Sequence, residues 1–220
     1  MRTSKRLLTY INAIPAHNNP ENNQRKADSD MSETEYTSFN KRLAFHTAPT
    51  LLGIKCASLM SLPAAEFELE THLNIFNRRA AQRGLKIRLI YNCGCRTLIL
   101  VYSEKKLRKR LTSPDASEIL SPLGYDINGS TERMIDRLSE RIGESSSFPH
   151  EIGIFLDYPP EDVRGFIENH GCNYKMCGCW KVYGSEERAR RTFENYERCR
   201  KFLCNKLNEG ADIYQALRIS

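Results

Sequence analysis

Residues 86–102 read KIRLIYNCGCRTLILVY, and this stretch carries the clearest fold signal in the chain. Its two ends, 86–91 and 97–102, are rich in β-branched, aromatic and other apolar residues, which favour strands. The five residues between these runs centre on Gly94, and glycine adopts the backbone angles that tight turns need. A short glycine-containing connector between two such runs predicts an antiparallel hairpin.

Outward from this hairpin, apolar residues recur at helical spacing on both sides. They predict helices at 32–46, 69–84, 105–111, 117–123, 130–142, 159–171 and 185–207, with the first helix broken at 47–50 around Pro49. Strand-like runs at 53–62, 151–156 and 174–183 join the hairpin strands. This order predicts an α/β fold, with α+β as the alternative: a single domain with a mixed sheet of about five strands flanked by helices.

Composition and charge are those of an ordinary globular chain. The 220 residues carry 33 Lys+Arg against 27 Asp+Glu, a formal charge of +6, and 40% are hydrophobic. No apolar run approaches the roughly 20 residues that a membrane helix needs, which argues against an integral membrane protein. Residues 1–30 are polar, rich in Asn and without periodicity, so we expect a disordered tail before a domain at 31–220, with Met31 as an alternative start.

The start of the chain also lacks the apolar core of a secretory signal, which predicts a cytoplasmic protein with reduced thiols. Its eight cysteines include two C-x-C pairs, Cys93/Cys95 and Cys177/Cys179, which do not match the spacing of zinc ribbons. If each pair lay on one face of a strand, the four sulfurs could meet as a metal or redox site. The competing interpretation is small, half-buried thiols that only fill space.

Positive charge is concentrated between residues 78 and 110, where eleven basic residues and one acid give a local charge of +10. Such a segment could bind nucleic acid through its phosphates. The candidate contacts are Arg78, Arg79, Arg83, Lys105, Lys106, Arg108, Lys109 and Arg110. Aromatic residues are scarce in this segment and no RNA-binding motif accompanies it, so a solvated face balanced by acids from elsewhere is the alternative.

Familiar catalytic motifs are absent: the chain has no Walker A loop, G-x-G-x-x-G, G-x-S-x-G or H-E-x-x-H. The candidate catalytic residues are His150 and Glu151, a potential acid–base pair at the start of an apolar run, together with His46. The candidate ligand contacts are Lys55, Lys181 and Trp180. These residues would share one pocket if the runs beginning near 53, 151 and 174 are adjacent; otherwise they only cap strands or face solvent.

At these residues the chain resembles an uncharacterised bacterial family, domain of unknown function 3793. The resemblance begins near residues 46–55, HTAPTLLGIK, and strengthens at HEIGIFL (150–156) and WKVY (180–183). It covers about 31–218, while the segment before Met31 and Cys56, where we would expect proline, depart from the family pattern. The resemblance implies a cytosolic bacterial protein and strengthens His46, Lys55, His150, Glu151 and Lys181 as site candidates, but it implies no reaction.

The leading hypothesis is therefore a protein that binds a small anionic ligand, with an enzymatic role left open. Nucleic-acid binding through the basic segment and a thiol or metal function through the C-x-C pairs are the alternatives. The sequence does not indicate a cofactor, a reaction or an oligomeric state.

Overall fold

A computed structural model describes residues 32–144 and 148–219. The predicted disordered tail at 1–30 lies outside the described residues. The elements, in chain order, are α1 (Glu33–Leu51), β1 (Ala57–Pro63), α2 (Leu69–Ala80), β2 (Leu85–Asn92), β3 (Arg96–Ser103), α3 (Glu104–Leu111), α4 (Pro114–Leu120), α5 (Thr131–Glu144), α6 (Ile152–Phe155), α7 (Pro160–Glu168), β4 (Met176–Cys177), β5 (Lys181–Val182), α8 (Glu186–Asn208) and α9 (Ile213–Ala216). Among the described residues, no helix has both the length and the apolar character needed to cross a bilayer.

The predicted hairpin is confirmed and forms two thirds of a three-stranded sheet. The strand order is β1-β3-β2, and both pairings are antiparallel, with Leu59 opposite Leu100 and Ile87 opposite Val101. A bulge in β2 between Leu89 and Tyr91 shifts the register. The longest apolar run, in β3, therefore takes the central position of the sheet, where it is paired on both edges.

Helices cover both faces of this sheet, which gives three layers. Leu98, Leu100 and Tyr102 point to one face, where α3 to α7 pack against them. Ile99 and Val101 point to the other face, which is covered by α1, α2, α8 and α9. Because successive side chains of a strand alternate between faces, the covered part of a strand between two helical layers is expected to be apolar on both faces, as residues 98–102 of β3 are.

The prediction of one mixed sheet of about five strands is wrong. The run at 151–156 forms the short helix α6, and the run at 174–183 forms a separate hairpin with strands of only two residues each. The residues of α6 are buried on every side, and a short apolar run of this kind does not distinguish a buried strand from a buried helix. Because both strand pairings are antiparallel, the α+β alternative describes the fold better than α/β.

The predicted break of the first helix around Pro49 is also wrong, because α1 continues to Leu51. Proline has no backbone N–H, so the carbonyl of Phe45, four residues earlier, loses its usual partner. The guanidinium of Arg200 on α8 supplies one instead, with an Nε to oxygen distance of 3.1 Å. A contact from a distant helix thus keeps α1 helical where local sequence predicts a break.

Candidate functional site

The β4–β5 hairpin is held against the body of the protein by one buried carboxylate, that of Asp162 in the first turn of α7. Its Oδ1 accepts hydrogen bonds from the backbone N–H groups of Tyr183 at 2.8 Å and Gly184 at 2.7 Å. Its Oδ2 accepts from the indole N–H of Trp180 at 2.7 Å. Asp162 is only 4% exposed, and its acceptors are engaged by the hairpin, so it fixes where the hairpin side chains point.

Under this hairpin lies a pocket of about 110 Å³, which we call the hairpin pocket. It lies between α6, α7 and the hairpin, and apolar side chains form most of its wall. The lining residues are Phe148, His150, Ile152, Gly153, Leu156, Tyr158, Asp162, Val163, Phe166, Cys177, Gly178, Cys179, Trp180 and Lys181. Three of the sequence candidates, His150, Lys181 and Trp180, therefore line the same pocket.

Gly153 explains how α6 comes so close to its neighbours. A Cβ at this position would lie 2.8 Å from Val163 and 3.1 Å from Tyr158, closer than side chains tolerate. The groups that approach Gly153 most closely are therefore the side chains of Val163 and Tyr158.

His150 and Lys181 supply ionisable groups to the pocket, and both contact Phe166. The His150 ring packs edge-on to Phe166 at 4.9 Å, and burial lowers the pKa of His150 despite the opposing charge of Glu151. The Lys181 ammonium lies 5.7 Å from the centre of the Phe166 ring and 4.8 Å from that of Tyr174. It also donates to the carbonyl of Gly171 at 2.5 Å, which fixes its position.

Glu151 does not line the pocket, although it adjoins His150 in sequence. Its side chain is buried and accepts hydrogen bonds from the Tyr125 hydroxyl, at 3.1 Å, and from the Arg141 guanidinium. Burial raises the pKa of Tyr125, so this hydroxyl stays a donor at neutral pH. The structure thus places the two members of the predicted acid–base pair in different surroundings.

Lys55 lies behind the pocket wall, beside the rings of Tyr158 and Tyr196, which we call the aromatic box. Its ammonium is 5.4 Å from the centres of both the Tyr158 and the Tyr196 ring, and Tyr158 stacks on Trp180 at 4.8 Å. Burial lowers the pKa of Lys55, and the nearby thiols and Asp157 partly oppose that shift. Tyr158 therefore separates this cation from the cavity.

His46 lies on α1, which packs along α8, and it does not line the hairpin pocket. Burial and the positive charges of Arg200, Arg42 and Arg96 lower the pKa of His46 to about 4. The imidazole is therefore neutral at physiological pH.

Three further residues shape the site, Asp162, Phe166 and Tyr158, and the sequence does not mark them as candidate site residues. By its local sequence Asp162 is an acid at a helix start, a position where acids are common on exposed helices too. Nothing in its local sequence reveals that it is buried. Tyr158 precedes two prolines, which signals a turn and hides the contacts of its ring.

In the comparison with known families, a family described as "Protein of unknown function (DUF3793)" matches residues 43–217. The chain belongs to this family. The matched region includes the whole hairpin pocket, the aromatic box and the sheet. Searches of curated proteins and of solved structures gave no significant match. The bacterial origin and cytoplasmic location stay predictions.

The two C-x-C pairs lie in two different hairpins, Cys93 and Cys95 between β2 and β3 and Cys177 and Cys179 around the β4–β5 turn. Among the described residues, no group of three or more His, Cys, Asp or Glu side chains is placed to hold a metal ion. The four sulfurs therefore do not converge into the site that the sequence left open.

Most of the predicted nucleic-acid contacts are engaged within the protein. Arg79 stacks on Tyr214 at 3.7 Å, and Arg83, Lys106, Arg108 and Arg110 donate to the backbone carbonyls of Leu217, Gly53, Gly129 and Tyr158. Acids from outside the segment pair with its other bases, as Glu132 does with Lys86 and Asp136 with Arg88. This arrangement fits a charge-balanced face, and nucleic-acid binding stays a prediction.

Proposed function

We propose that this protein binds a small anionic molecule with an apolar body, such as a short-chain monocarboxylate, in the hairpin pocket. The observation that carries the proposal is an apolar cavity with one fixed cation, Lys181, and one imidazole, His150, in its lining. Ligand sites commonly combine apolar walls with a few placed polar groups. The volume of about 110 Å³ is below the roughly 300 Å³ at which pockets for drug-sized ligands begin, so the ligand is small.

Lys181 is suited to be the anion contact. An ammonium group has three hydrogen-bond donors, and the Gly171 carbonyl takes one of them, which leaves two for a carboxylate. The rings of Phe166 and Tyr174 stabilise the charge and restrict the side chain, so little further ordering is needed when the ligand binds.

The role of His150 in this proposal depends on pH. Partial desolvation lowers the pKa of His150, which favours the neutral imidazole at pH 7, a form that can donate or accept a hydrogen bond with the ligand. In an enzymatic version of the proposal, His150 would transfer a proton to or from the bound molecule. Glu151, held by Tyr125 and Arg141, would fix the start of α6 instead of exchanging protons with a ligand.

A binding titration tests the proposal. Acetate, isovalerate, phenylacetate and phosphate would be titrated into the full chain and followed by calorimetry and thermal shift. We expect an apolar carboxylate to bind and Lys181→Met to weaken it at least about tenfold, since a hydrogen bond to a charged group contributes about 1.5–3 kcal/mol. Methionine keeps most of the length of the side chain while removing its charge.

Lys175→Met is the matched control. Lys175 lies on the same hairpin, is exposed, and also donates to a backbone carbonyl, that of Gly184 at 3.0 Å, but it does not line the pocket. We expect this variant to bind like the unmodified protein. Equal affinities for the Lys181→Met and Lys175→Met variants would refute the site, and an absence of binding by every carboxylate in the panel would refute the ligand class.

A further inference from the structure

The turn between β2 and β3 holds two thiols in a fixed arrangement. Cys93, Gly94 and Cys95 form its tip, with Gly94 at a φ of +82°, a conformation that suits glycine. The Gly94 N–H donates to the Asn92 side chain at 2.8 Å, and the Cys93 N–H donates to the Arg96 carbonyl at 3.0 Å. The Cys95 carbonyl accepts from the N–H of Ala64, just after β1, at 3.1 Å. Both ends of the tip are thus fixed by hydrogen bonds.

The two sulfur atoms are in contact and accessible. Their separation is 3.2 Å, about 1.2 Å more than in a disulfide, and both cysteines are exposed. The backbone N–H of Arg96 donates to the Cys93 sulfur at 3.3 Å. Hydrogen bonds from the Cys95 thiol and from backbone N–H groups lower the pKa of Cys93, while its neighbour raises the pKa of Cys95.

We propose that Cys93 and Cys95 form a reversible dithiol–disulfide couple that exchanges with low-molecular-weight disulfides. This activity uses no residue of the hairpin pocket and is independent of ligand binding there. The contact between the two sulfurs at an exposed turn is the observation that carries it. In the other C-x-C pair, Cys177 and Cys179, the sulfurs make no such contact in the described part of the chain.

The exchange proceeds in two steps. The Cys93 thiolate attacks one sulfur of a disulfide R–S–S–R, which forms a Cys93–S–S–R bond and releases R–S⁻ to take up a proton. Cys95 then loses its proton to solvent and attacks the Cys93 sulfur, which forms the Cys93–Cys95 bond and releases the second thiol. In total, two protein thiols are oxidised and one external disulfide is reduced to two thiols.

The assignment of Cys93 as attacking thiol and Cys95 as resolving thiol follows from the two sulfur environments. A thiol is nucleophilic as its thiolate, and the hydrogen bonds at Cys93 stabilise that form. The disulfide closes a loop of only three residues and stays exposed, so it gains little from loop closure and is readily reduced again. The couple is therefore suited to cycling more than to permanent cross-linking.

Redox titration of the full chain tests this proposal. The reduced protein would be equilibrated in mixtures of reduced and oxidised glutathione, quenched with acid, alkylated and analysed by peptide mass spectrometry. We expect an intramolecular disulfide in the peptide that contains residues 93–95, reversible on addition of dithiothreitol. Cys177 and Cys179 serve as the internal control. They should stay reduced, and therefore be alkylated, at the glutathione ratios that oxidise Cys93 and Cys95.

Serine variants separate the two roles. Cys95→Ser should trap one glutathione on Cys93, which keeps the hydrogen bond from the Arg96 N–H, whereas Cys93→Ser should form an adduct on Cys95 more slowly because Cys95 lacks that donor. Both positions are exposed, so circular dichroism should confirm that each variant folds. Two free thiols throughout the titration, bonds only between separate chains, or equal oxidation of both C-x-C pairs would overturn the proposal.

Discussion

Replacing Asp162 with alanine should release the β4–β5 hairpin from α7. The side chain accepts three hydrogen bonds, two from backbone N–H groups of Tyr183 and Gly184 and one from the Trp180 indole. These donors have the carboxylate as their partner in a buried environment, where a donor left without an acceptor costs about 1–3 kcal/mol. Allowing for partial hydration of the two backbone groups, we expect a loss of about 3–5 kcal/mol in the free energy of unfolding.

Trp180 makes this loss directly measurable because it is the single tryptophan of the chain. Its ring is 8% exposed and lies against Tyr158 and Phe193, so detachment of the hairpin should shift its emission to longer wavelength. Urea unfolding followed by this emission and by circular dichroism gives both the local and the global effect. In the Asp162→Ala variant, the emission shift should occur at a lower urea concentration than the loss of the helical circular dichroism signal.

Two further variants test whether the loss of stability comes from the Asp162 carboxylate. Asp162→Asn keeps an oxygen for the backbone donors but turns an amide N–H₂ toward the Trp180 indole, so it should cost less than alanine while still perturbing the emission. Glu161→Ala is the control on the same helix, since its ion pair with Arg188 is exposed and should be worth under about 1 kcal/mol. If Asp162→Ala cost no more than Glu161→Ala and left the emission unchanged, the carboxylate would not be the anchor of the hairpin.

Three other predictions concern stability. Arg200→Met should lower the free energy of unfolding, measured in urea, by about 1–2 kcal/mol. Adding Pro49→Ala should recover part of that loss, because alanine restores the N–H that the Arg200 guanidinium replaces. Additive effects of the two substitutions in the double variant would contradict this explanation. Partial burial and nearby arginines hold the pKa of His46 at about 4, below its unfolded value of about 6.5. The free energy of unfolding should therefore be constant with respect to this group above pH 6.5 and fall by up to about 1.4 kcal/mol per pH unit toward pH 4, and His46→Gln should reduce that slope in unfolding curves. Glu151→Gln should cost about 1.5–3 kcal/mol in the free energy of unfolding, because it weakens a charged hydrogen bond to the partly buried Arg141, yet leave carboxylate affinity in the hairpin pocket unchanged. A selective loss of affinity would place Glu151 in the site.

The central hairpin was predictable because its signals are local. Residues 97–102 form an apolar run covered on both sides, and the glycine connector beside it allows only a short turn. The stripes of α5 and α8 were equally readable, since one apolar face at helical spacing is a property of the segment itself. The predicted helix break at Pro49 is wrong because Arg200, which supplies the missing hydrogen-bond donor, lies about 150 residues away in sequence.

The runs at 151–156 and 174–183 were misread for a related reason. Both contain residues that favour strands, but neither pairs with the edge strands β1 and β2. The first run is enclosed by apolar side chains as α6, and the second pairs with itself as the β4–β5 hairpin. The residues of the predicted site therefore do not meet as neighbouring strands of one sheet. His150, Trp180 and Lys181 meet because Asp162 draws the hairpin onto α7, a contact that local sequence does not reveal.

Lys55 shows how a candidate ligand contact can instead support the wall of a site. Its ammonium lies between Tyr158 and Tyr196, and the opposite face of the aromatic cluster, through the Tyr158–Trp180 stack, forms part of the hairpin pocket. A cation beside ring faces is attracted to their negative potential, so it favours one orientation of these rings. Asp157 adds a negative charge on the same side, and its carboxylate also accepts the Cys56 N–H at 3.1 Å, which ties the start of β1 to this cluster. Of the two lysines that the sequence singles out, Lys181 therefore lines the pocket itself, whereas Lys55 orders the rings that form part of its wall.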